Sequence, residues 1–202
     1  MDQTAISVFV LAGGKSTRMG ADKAFVMLQG RALLERALDL AWSIGDRVAI
    51  VGDSGKYAQF APIVEDVFPG CGPLGGIHAA LRSSPTDLNL ILAVDLPFVP
   101  AALLQYLVSK AVESPAALVT VPQTSQGRQP LCAIYRREFA DRAEESLRSG
   151  QYKIDALFDK ECTRVITETE LRSAGFSSDV FRNVNNPEDL KQASDFIRLD
   201  PI

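Results

Sequence analysis

The chain alternates between short apolar runs and longer stretches in which apolar residues recur every three or four positions. The apolar runs are nearly continuous and do not alternate with polar residues, which is typical of strands buried on both faces of a parallel sheet. We predict strands at residues 5–11, 47–51, 88–94, 116–121 and 131–135, and shorter strands at 63–65 and 163–167.

The stretches between these runs predict helices. Apolar side chains at 33, 34, 37, 38, 41 and 42 form one amphipathic face, and further helices are predicted at 56–61, near 77–81, and at 103–111, 136–148 and 153–158. Asn186, Pro187 and the acidic residues after them predict another helix start, with Asn186 as the N-cap. Strands that alternate with helices indicate a three-layer α/β fold, an open, mostly parallel sheet with helices on both faces. We expect a single domain over residues 1–202.

Composition and charge limit the classes of protein to which this chain can belong. Its 202 residues and 47% apolar content are enough for one sizeable core, and a net charge of -4 gives no support to nucleic-acid binding. No apolar run approaches the roughly 20 residues that span a bilayer, and the first residues lack the basic start of a signal peptide. Three cysteines without a C-x-x-C pair suit a reducing compartment. We therefore expect a cytoplasmic protein that binds neither nucleic acid nor a membrane.

The first apolar run leads directly into a glycine-rich, cationic segment at residues 11–23 (LAGGKSTRMGADK). Gly13 and Gly14 leave the backbone without side chains that would keep a ligand away. Three positive charges follow within the same stretch, on Lys15, Arg18 and Lys23. Because loops at the carboxyl ends of strands in α/β sheets are where ligands bind, we interpret this segment as a binding site for a polyphosphate. The alternative is a surface turn with incidental charges.

Two familiar phosphate-binding patterns do not fit this segment. The P-loop pattern G-x-x-x-x-G-K-[ST] matches at Gly14 and the two residues after it, but it needs a glycine five residues earlier, where the chain has Phe9. The dinucleotide fingerprint G-x-G-x-x-G is absent as well, because Gly13 and Gly14 are adjacent. We therefore expect the segment to hold phosphate in another geometry.

Asp95 is the strongest candidate for chemistry outside this segment. It follows a buried predicted strand and precedes Pro97, which turns the chain at the carboxylate. Magnesium prefers hard oxygen ligands and takes one or two carboxylates together with substrate phosphates, so Asp95 suits a Mg2+ site; a helix cap or a turn is the alternative. Asp66 follows a shorter strand and either contacts a nucleotide or stabilises a turn. The residues around Asp53 have the composition of an ordinary turn, so Asp53 is a weaker candidate.

The remaining polar residues give weaker signals. His78 is the only histidine, and because it has no partner ligands at metal spacing we interpret it as structural. The chain has no nucleophile elbow and no zinc pattern, so covalent catalysis has little support. Arg128 and Lys153 are further cations that either hold a second anionic substrate or are ordinary surface charges.

Four stretches extend in order over almost the whole chain: LAGGKSTRMGADK at 11–23, GPLGG at 72–76, VDLPF at 94–98 and NVNNPEDL at 183–190. Together they resemble the molybdenum cofactor guanylyltransferases, which have the Rossmann-like nucleotide-diphospho-sugar transferase fold, and the first stretch is specific by itself. The segment QPLCAIY at 129–135 is similar to the family's Q-P-L-x-A-x-Y. The family's G-x-P-L-L is replaced here by GRALL, and its N-T-P-E-D by NNPED, in which Asn186 can still cap a helix. Neither change alters a residue that we expect to take part in the reaction.

The resemblance implies that the chain transfers GMP from GTP to the phosphate of molybdopterin that bears molybdenum, and releases pyrophosphate. It implies backbone contacts to the nucleotide from four residues: Leu11, Ala12, Gly13 and Gly14. It also implies that Lys23 pairs with the nucleotide phosphates and that Asp95 binds magnesium.

The resemblance extends to weaker candidates. Asp66 corresponds to an aspartate that contacts the nucleotide, and Asp53 matches a position that is often asparagine in the family. Asn183 and Asn185 match an N-x-N motif near the metal or the phosphate of the acceptor. Transient contacts with cofactor-biosynthesis proteins and molybdoenzymes are a further expectation.

This reaction fits what the residues themselves indicate. An acceptor phosphate attacks the α-phosphorus in line and pyrophosphate leaves, so the protein has to supply alignment and charge neutralisation but no covalent nucleophile. Lys15 and Arg18 would bind the β- and γ-phosphates. Lys23 would neutralise the α-phosphate, and magnesium on Asp95 would bridge phosphate oxygens.

Three other functions remain open from the sequence. Two of them belong to the same class of reaction: cytidylyl transfer to the same cofactor and nucleotidyl transfer to a sugar phosphate. In related cytidylyltransferases the corresponding sequence is similar to T-A-A-G, whereas this chain has L-A-G-G at 11–14. This difference favours guanine as the base of the nucleotide. The third is a non-catalytic nucleotide-binding module, and the presence of both Lys23 and Asp95 argues against it.

Overall fold

Strand β1 (Ile6–Leu11) lies at the centre of the fold, and all six of its residues are buried. Its side chains point alternately into two apolar layers, with Val8 and Val10 in one and Phe9 and Leu11 in the other. Because both faces are covered, the strand has no need of alternating polar residues. The nearly continuous apolar run at the start of the chain is explained by this position.

The computed structural model describes residues 5–13, 22–186 and 188–193. The other strands within these ranges are β2 (Met27–Leu28), β3 (Arg31–Ala32), β4 (Arg47–Val51), β5 (Ile63–Val64), β6 (Leu88–Ala93), β7 (Val119–Thr124), β8 (Gly127–Arg128), β9 (Cys132–Arg136) and β10 (Thr163–Ile166). The α-helices are α1 (Leu33–Trp42), α2 (Ser54–Tyr57), α3 (Pro73–Ser83), α4 (Ala101–Glu113), α5 (Phe139–Arg148) and α6 (Glu168–Ser173), and residues 188–193 are also helical. Short 3-10 turns cover Lys23–Phe25, Ile154–Leu157 and Ser178–Phe181.

The main sheet has the strand order β10-β7-β9-β6-β1-β4-β5, and β8 is an additional partner of β7. β1 is parallel to both of its neighbours, with Val10 opposite Ile50 on β4 and Leu92 on β6. β9 runs antiparallel to β6 and β7, while β10 is parallel to β7. The prediction of an open, mostly parallel sheet is therefore confirmed. After β1 the chain adds β4 and β5 on one side and then crosses to β6 on the other, and such a reversal creates a crevice at the carboxyl ends of the strands.

Helices cover both faces of the main sheet, which confirms the three-layer α/β architecture. On one face α1 and α4 bury apolar side chains such as Leu34 and Leu104. On the opposite face α3 and α5 pack against each other, and Ile77 and Phe139 enter the second apolar layer. Within the described ranges, none of the helices combines the length and the apolar character that crossing a bilayer requires.

The chain beyond the strand predicted at 116–121 folds differently from expectation. The segment 122–130, to which we assign no strand from the sequence, is not a simple loop, because β7 continues to Thr124 and turns back into β8. Pro122 does not end the strand, since its carbonyl oxygen accepts the amide N–H of Gln129 (2.8 Å) and so joins the two arms of the hairpin. A proline can lie in a strand where its missing N–H is not needed for the ladder.

Other boundaries differ by a few residues. The short helix predicted at 56–61 begins earlier, because the carboxylate of Asp53 accepts the amide N–H two residues later (2.8 Å) and caps α2. The helix predicted at 136–148 begins only at Phe139. The two-stranded ribbon of β2 and β3 and the six-residue helix α6 were not predicted, because such short elements carry too few apolar positions to show a period.

The predicted helix start at Asn186 is confirmed. Asn186 Oδ1 accepts the amide N–H of Asp189 (2.8 Å), and Asp189 Oδ2 accepts the amide N–H of Asn186 in return (3.2 Å). This reciprocal arrangement is a capping box. Asp189 Oδ2 also accepts the amide N–H of Asn185 (2.8 Å), so the cap orients the residue just before the helix. Pro187 lies outside the described residues.

We predict that Leu90→Ala lowers the free energy of unfolding by about 2 to 5 kcal/mol. Leu90 is fully buried on β6, and the smaller side chain leaves a void in a closely packed interior. Urea denaturation followed by circular dichroism measures the change. Val112→Ala on α4, where Val112 is 47% exposed, is the control and should change stability by less than about 0.5 kcal/mol. Equal losses in the two variants would contradict the central position of β6.

Candidate active site

The carboxyl ends of β1, β4 and β6 border a cavity of about 830 Å³, which we call the main crevice. Seven of the residues that the sequence assigns to nucleotide or metal contribute to its lining: Leu11, Ala12, Gly13, Lys23, Asp53, Asp66 and Asp95. The rest of the lining comes mainly from the end of β4 and from the segment 65–76. Three further predicted site residues lie outside the described residues: Gly14, Lys15 and Arg18.

The backbone after β1 is held between the two neighbouring strands. The amide N–H of Ala12 donates to the carbonyl oxygen of Val51 (3.1 Å), and the amide N–H of Val94 donates to that of Leu11 (3.2 Å). A Cβ added at Gly13 would have the Val51 carbonyl oxygen as its nearest neighbour, at an ordinary contact distance of 3.8 Å. Packing within the described part of the chain therefore does not require glycine at position 13, whereas close approach of a ligand to the backbone would.

Three side chains that are far apart in the sequence meet at the main crevice. The Lys23 ammonium group lies 2.9 Å from Asp95 Oδ2 and 2.5 Å from Asn185 Oδ1. Asp95 follows β6, and its carbonyl oxygen accepts the amide N–H of Val184 (3.0 Å), which places Asn185 beside it. The side chains of Lys23 and Asp95 are 24% and 17% exposed, so water screens this ion pair less than one at the open surface. We call these three residues the Lys23 cluster.

The Lys23 cluster also has the donor chemistry that magnesium prefers. A carboxylate oxygen of Asp95 and an amide oxygen of Asn185 converge on the same cationic group. Mg2+ is bound in proteins through one or two carboxylates, with water and substrate phosphates completing its shell. Within the described ranges no group of three or more histidine, cysteine, aspartate or glutamate residues is placed to hold a metal ion. The oxygens of Asp95 and Asn185 are therefore of the kind that bind magnesium together with the phosphates of a substrate.

Asp66 lies against the start of α3. Its Oδ1 accepts the amide N–H of Phe68 (2.8 Å), and a Cβ at Gly75 would lie 2.8 and 2.9 Å from its two carboxylate oxygens. Burial raises the pKa of Asp66 above its ordinary value. Gly72, with φ at 70°, turns the chain into α3, so that the first turn of this helix borders the main crevice. A carboxylate acceptor and a helix N-terminus therefore face the same cavity.

A second cavity, of about 350 Å³, adjoins the Lys23 cluster. Its lining includes both asparagines that the sequence assigns to the acceptor, Asn183 and Asn185, together with Gln126, Gln129 and Arg182. Asn185 connects the two cavities, because its side-chain oxygen contacts the lysine that lines the main crevice. The second cavity and the main crevice therefore meet at the Lys23 cluster.

Arg128 and Lys153 lie in different surroundings. The guanidinium carbon of Arg128 lies 5.6 Å from the centre of the Phe158 ring, and one of its nitrogens lies 3.8 Å from Asp155 Oδ1. Lys153 is exposed at the start of the turn Ile154–Leu157. Neither residue contributes to the lining of the main crevice or the second cavity. A role of these two cations in acceptor binding stays a prediction.

His78 has surroundings that suit the structural interpretation. It is 3% exposed, packs edge-on against Phe68 with ring centroids 5.1 Å apart, and places Nε2 3.4 Å from Glu144 Oε2. Hydrogen bonds from Arg148 and Arg82 lower the pKa of Glu144 to about 2, so this carboxylate is ionised at neutral pH. His78 does not contribute to the lining of the main crevice.

Two residues that adjoin the lining of the main crevice were not predicted from the sequence. Tyr57 is buried, and its hydroxyl lies 2.8 Å from Asp22 Oδ2 and 3.2 Å from the carbonyl oxygen of Ala12. Asp22 caps the turn that begins with Lys23, since its Oδ1 accepts the amide N–H of Ala24 (3.2 Å). An aspartate directly before the lysine was a signal for such a cap. Nothing local in the sequence pointed to Tyr57.

Comparison with known proteins gives consistent results over nearly the full chain. Residues 8–194 match the model of the MobA-like NTP transferase domain. The chain is 34% identical over 201 residues to a protein from Desulfosudis oleivorans named molybdenum cofactor guanylyltransferase, covering 98% of both chains. It is 33% identical to a protein from Pelotomaculum thermopropionicum named probable molybdenum cofactor guanylyltransferase, covering 91% of this chain and 89% of the other. The crystal structure of molybdopterin-guanine dinucleotide biosynthesis protein A from Archaeoglobus fulgidus superimposes with a TM-score of 0.83 at 29% identity, covering 96% of this chain and 99% of the other.

We predict that Gly75→Ala destabilises the protein, although alanine is the better helix former. The new Cβ would lie 2.8 and 2.9 Å from the carboxylate oxygens of Asp66 and 3.0 Å from the carbonyl oxygen of Phe68, so backbone has to shift. The expected loss is about 1 to 3 kcal/mol, measured by urea denaturation. Gly76→Ala is the control at the next position, where a Cβ meets nothing closer than 3.5 Å, and it should be as stable as the original protein or slightly more so. A Gly75→Ala variant of undiminished stability would contradict the placement of Asp66 against α3.

Proposed function

The chain belongs to the MobA-like NTP transferase family, and we propose that, as a molybdenum cofactor guanylyltransferase, it transfers GMP from GTP to the phosphate of molybdenum-bearing molybdopterin and releases pyrophosphate. The observation that carries this proposal is the position of the Lys23 cluster, where the main crevice and the second cavity meet. The main crevice has a volume typical of ligand sites in proteins. Two cavities that meet where Asn185 of one contacts Lys23 of the other suit a transfer between two phosphorylated molecules.

The charges around the main crevice indicate how a nucleotide would lie. Asp53, Glu65 and Asp66 line the crevice beside β4 and β5, where carboxylates repel phosphate but accept hydrogen bonds from ribose hydroxyls or base N–H groups. Lys23 lines the same crevice at the end of β6. We therefore place the base and ribose along β4 and β5 and the phosphates at the Lys23 cluster. The other predicted ligands of the phosphates follow Gly13 in the chain, at Lys15 and Arg18.

The chain's part in the reaction is to align two phosphates and to neutralise charge. The acceptor phosphate is already anionic at neutral pH, so its oxygen forms the new bond to the α-phosphorus while the bond to the pyrophosphate oxygen breaks, without a covalent nucleophile from the protein. In the free chain Asp95 and Asn185 hold the Lys23 ammonium group at the main crevice, so a cation is already present where charge develops on the α-phosphate. Asp95 and Asn185 would hold Mg2+, which neutralises phosphate charge when bound.

The second cavity is the proposed site of the acceptor. Gln126, Gln129 and Asn183 line it with amide groups, each of which offers hydrogen-bond donors and an acceptor. A pterin ring presents ring nitrogens, N–H groups and a carbonyl oxygen along its edge, so amide side chains are suitable partners. Because Asn185 joins this cavity to Lys23, the phosphate of a bound acceptor would reach the same cation as the α-phosphate of the nucleotide.

Other functions have less support. The names of the relatives favour guanylyl over cytidylyl transfer. A non-catalytic nucleotide-binding module is disfavoured, because Lys23 and Asp95 are both present and paired at the crevice. Location in the cytoplasm and transient contacts with cofactor-biosynthesis proteins and molybdoenzymes stay predictions.

We predict that GTP with magnesium raises the melting temperature and that CTP with magnesium does not. A ligand that binds only the folded state stabilises it, by about 2.7 kcal/mol at a concentration about 100-fold above its dissociation constant. For a chain of this size such a gain raises Tm by about 5 to 10 °C. Differential scanning fluorimetry measures the shift, with ATP and CTP at the same concentration as controls. Equal shifts with GTP and CTP would exclude selection of guanine.

We predict that Asp95→Ala lowers the rate of pyrophosphate release from GTP and the molybdenum-loaded acceptor by at least about 100-fold. The change removes an oxygen ligand for magnesium and one of the groups that hold Lys23. Asp159→Ala is the control: it breaks an exposed ion pair with Arg142 that lies away from both cavities, and it should keep the original rate. Circular dichroism checks that both variants fold. Turnover retained in Asp95→Ala would remove Asp95 from the metal role.

A further inference from the structure

Tyr57 connects two parts of the candidate active site through one hydroxyl group. The residue lies on α2 and is 2% exposed, and its hydroxyl is 2.8 Å from Asp22 Oδ2 and 3.2 Å from the carbonyl oxygen of Ala12. A Cβ at Gly52 would lie 2.9 Å from Tyr57 Cε2, so the ring packs directly on the backbone that follows β4. A phenol has one O–H to donate, and the shorter distance and the negative charge both favour Asp22 as its acceptor.

Asp22 extends this constraint to Lys23. Its Oδ1 accepts the amide N–H of Ala24 (3.2 Å) and so begins the turn in which Lys23 is the first residue. Its Oδ2 accepts hydrogen bonds from the Tyr57 hydroxyl and from the Lys56 ammonium group (3.0 Å). Oδ1 of Asp22 therefore binds the turn that contains Lys23, and Oδ2 binds two side chains of α2.

We propose that Tyr57 is a positioning residue for Lys23, because its hydroxyl holds Asp22 and Asp22 holds the turn that presents the lysine ammonium group to the phosphates. We call this chain of contacts the Tyr57–Asp22 tether. The inference deepens the proposed function and rests on it for the identity of the phosphates. The tether itself is a property of the free chain and can be measured without a substrate.

Substrate binding would change the contacts that hold Lys23 directly. In the free chain Asp95 and Asn185 contact its ammonium group. A phosphate bound by Lys23 competes with both contacts, as does a cation bound by Asp95. The position of the long, flexible lysine side chain then depends more strongly on its backbone, and a displacement of about 1 Å can cost about 100-fold in rate. The Tyr57–Asp22 tether uses no atom of Asp95 or Asn185, so it persists when those contacts are exchanged.

The aromatic ring of Tyr57 has a separate, structural role. It lies 5.8 Å from the ring of Phe25, which in turn lies 5.9 Å from the ring of Phe60. Phenylalanine at position 57 would keep this packing and the contact with Gly52. Tyr57→Phe therefore removes the hydroxyl alone, and it separates the tether from the hydrophobic role of the ring.

For Tyr57→Phe we expect kcat for pyrophosphate release from GTP to fall about 10- to 100-fold, while KM for GTP changes less than about threefold. Ser146→Ala is the control. It also loses only a buried hydroxyl, which donates to the carbonyl oxygen of Gln151 (2.6 Å), but on α5 and away from the lining of both cavities. Its kcat should equal that of the original protein. An equal fall in kcat in both variants would indicate general loosening and overturn the proposal.

A double-mutant cycle tests whether Tyr57 acts through Asp22. Asp22→Asn keeps the oxygen that caps the turn and replaces the acceptor of the Tyr57 hydroxyl by an amide NH2 group. If the two residues form one tether, the double variant should lose no more kcat than the more impaired single variant. Losses that multiply would mean that the residues act independently, and would overturn the tether.

Hydrogen exchange of the free chain tests the tether without nucleotide. In Tyr57→Phe the amide N–H groups of residues 22–26 should exchange at least about tenfold faster than in the original protein, and in Ser146→Ala they should not. Unchanged exchange, or faster exchange together with an unchanged kcat, overturns the proposal. If the original protein released no pyrophosphate from GTP, the proposed function would fail, and the exchange rates would still decide whether the Tyr57–Asp22 tether exists.

Discussion

The candidate active site depends on the parallel pairing of β1 with a strand on each of its edges. This pairing brings the carboxyl ends of β1, β4 and β6 side by side, and it continues past the strand itself through the backbone hydrogen bonds of Ala12 with Val51 and of Leu11 with Val94. Because the chain proceeds from β1 to β4 on one side and later crosses to β6 on the other, no connecting segment has to cover the end of β1. The main crevice lies at that end.

The acidic character of the chain explains why the position of Lys23 at the main crevice matters. The net charge is -4, and three carboxylates line the crevice beside β4 and β5, so a polyphosphate is not attracted by the protein as a whole. Lys23 has to be presented by a rigid arrangement. Asp95 and Asn185 hold its ammonium group, and Asp22 caps the turn that carries it. The same carboxylate and amide oxygens suit a shared magnesium ion, which would add positive charge beside Lys23.

The site is complete only when the last described part of the chain returns to β6. Val184 donates to the carbonyl oxygen of Asp95, and the capping box of Asn186 and Asp189 orients Asn185 toward Lys23. A local helix cap thus contributes to the geometry of a contact between residues 162 positions apart. Folding of this end of the chain and assembly of the Lys23 cluster are therefore coupled.

Much of the fold could be predicted because its signals are local. The apolar run of β1, the helical spacing in α1 and the cap at Asn186 depend on neighbouring residues, and each is found where the sequence indicated. The hairpin after β7 was not predicted, because a proline at position 122 favours the end of a strand, whereas in the folded chain its carbonyl oxygen accepts the amide N–H of Gln129.

The sequence by itself determined the fold class, the order of the main elements and the residue types from which a phosphate site could be built. Only the tertiary structure decided which of them meet: Lys23 with Asp95 and Asn185 at the crevice, with Arg128 and Lys153 outside both cavities. It also decided that the Tyr57 hydroxyl contacts Asp22 and the backbone of Ala12. The physical reason is that periodicity and capping act over a few residues, whereas these contacts depend on strand order and on packing across the whole sheet.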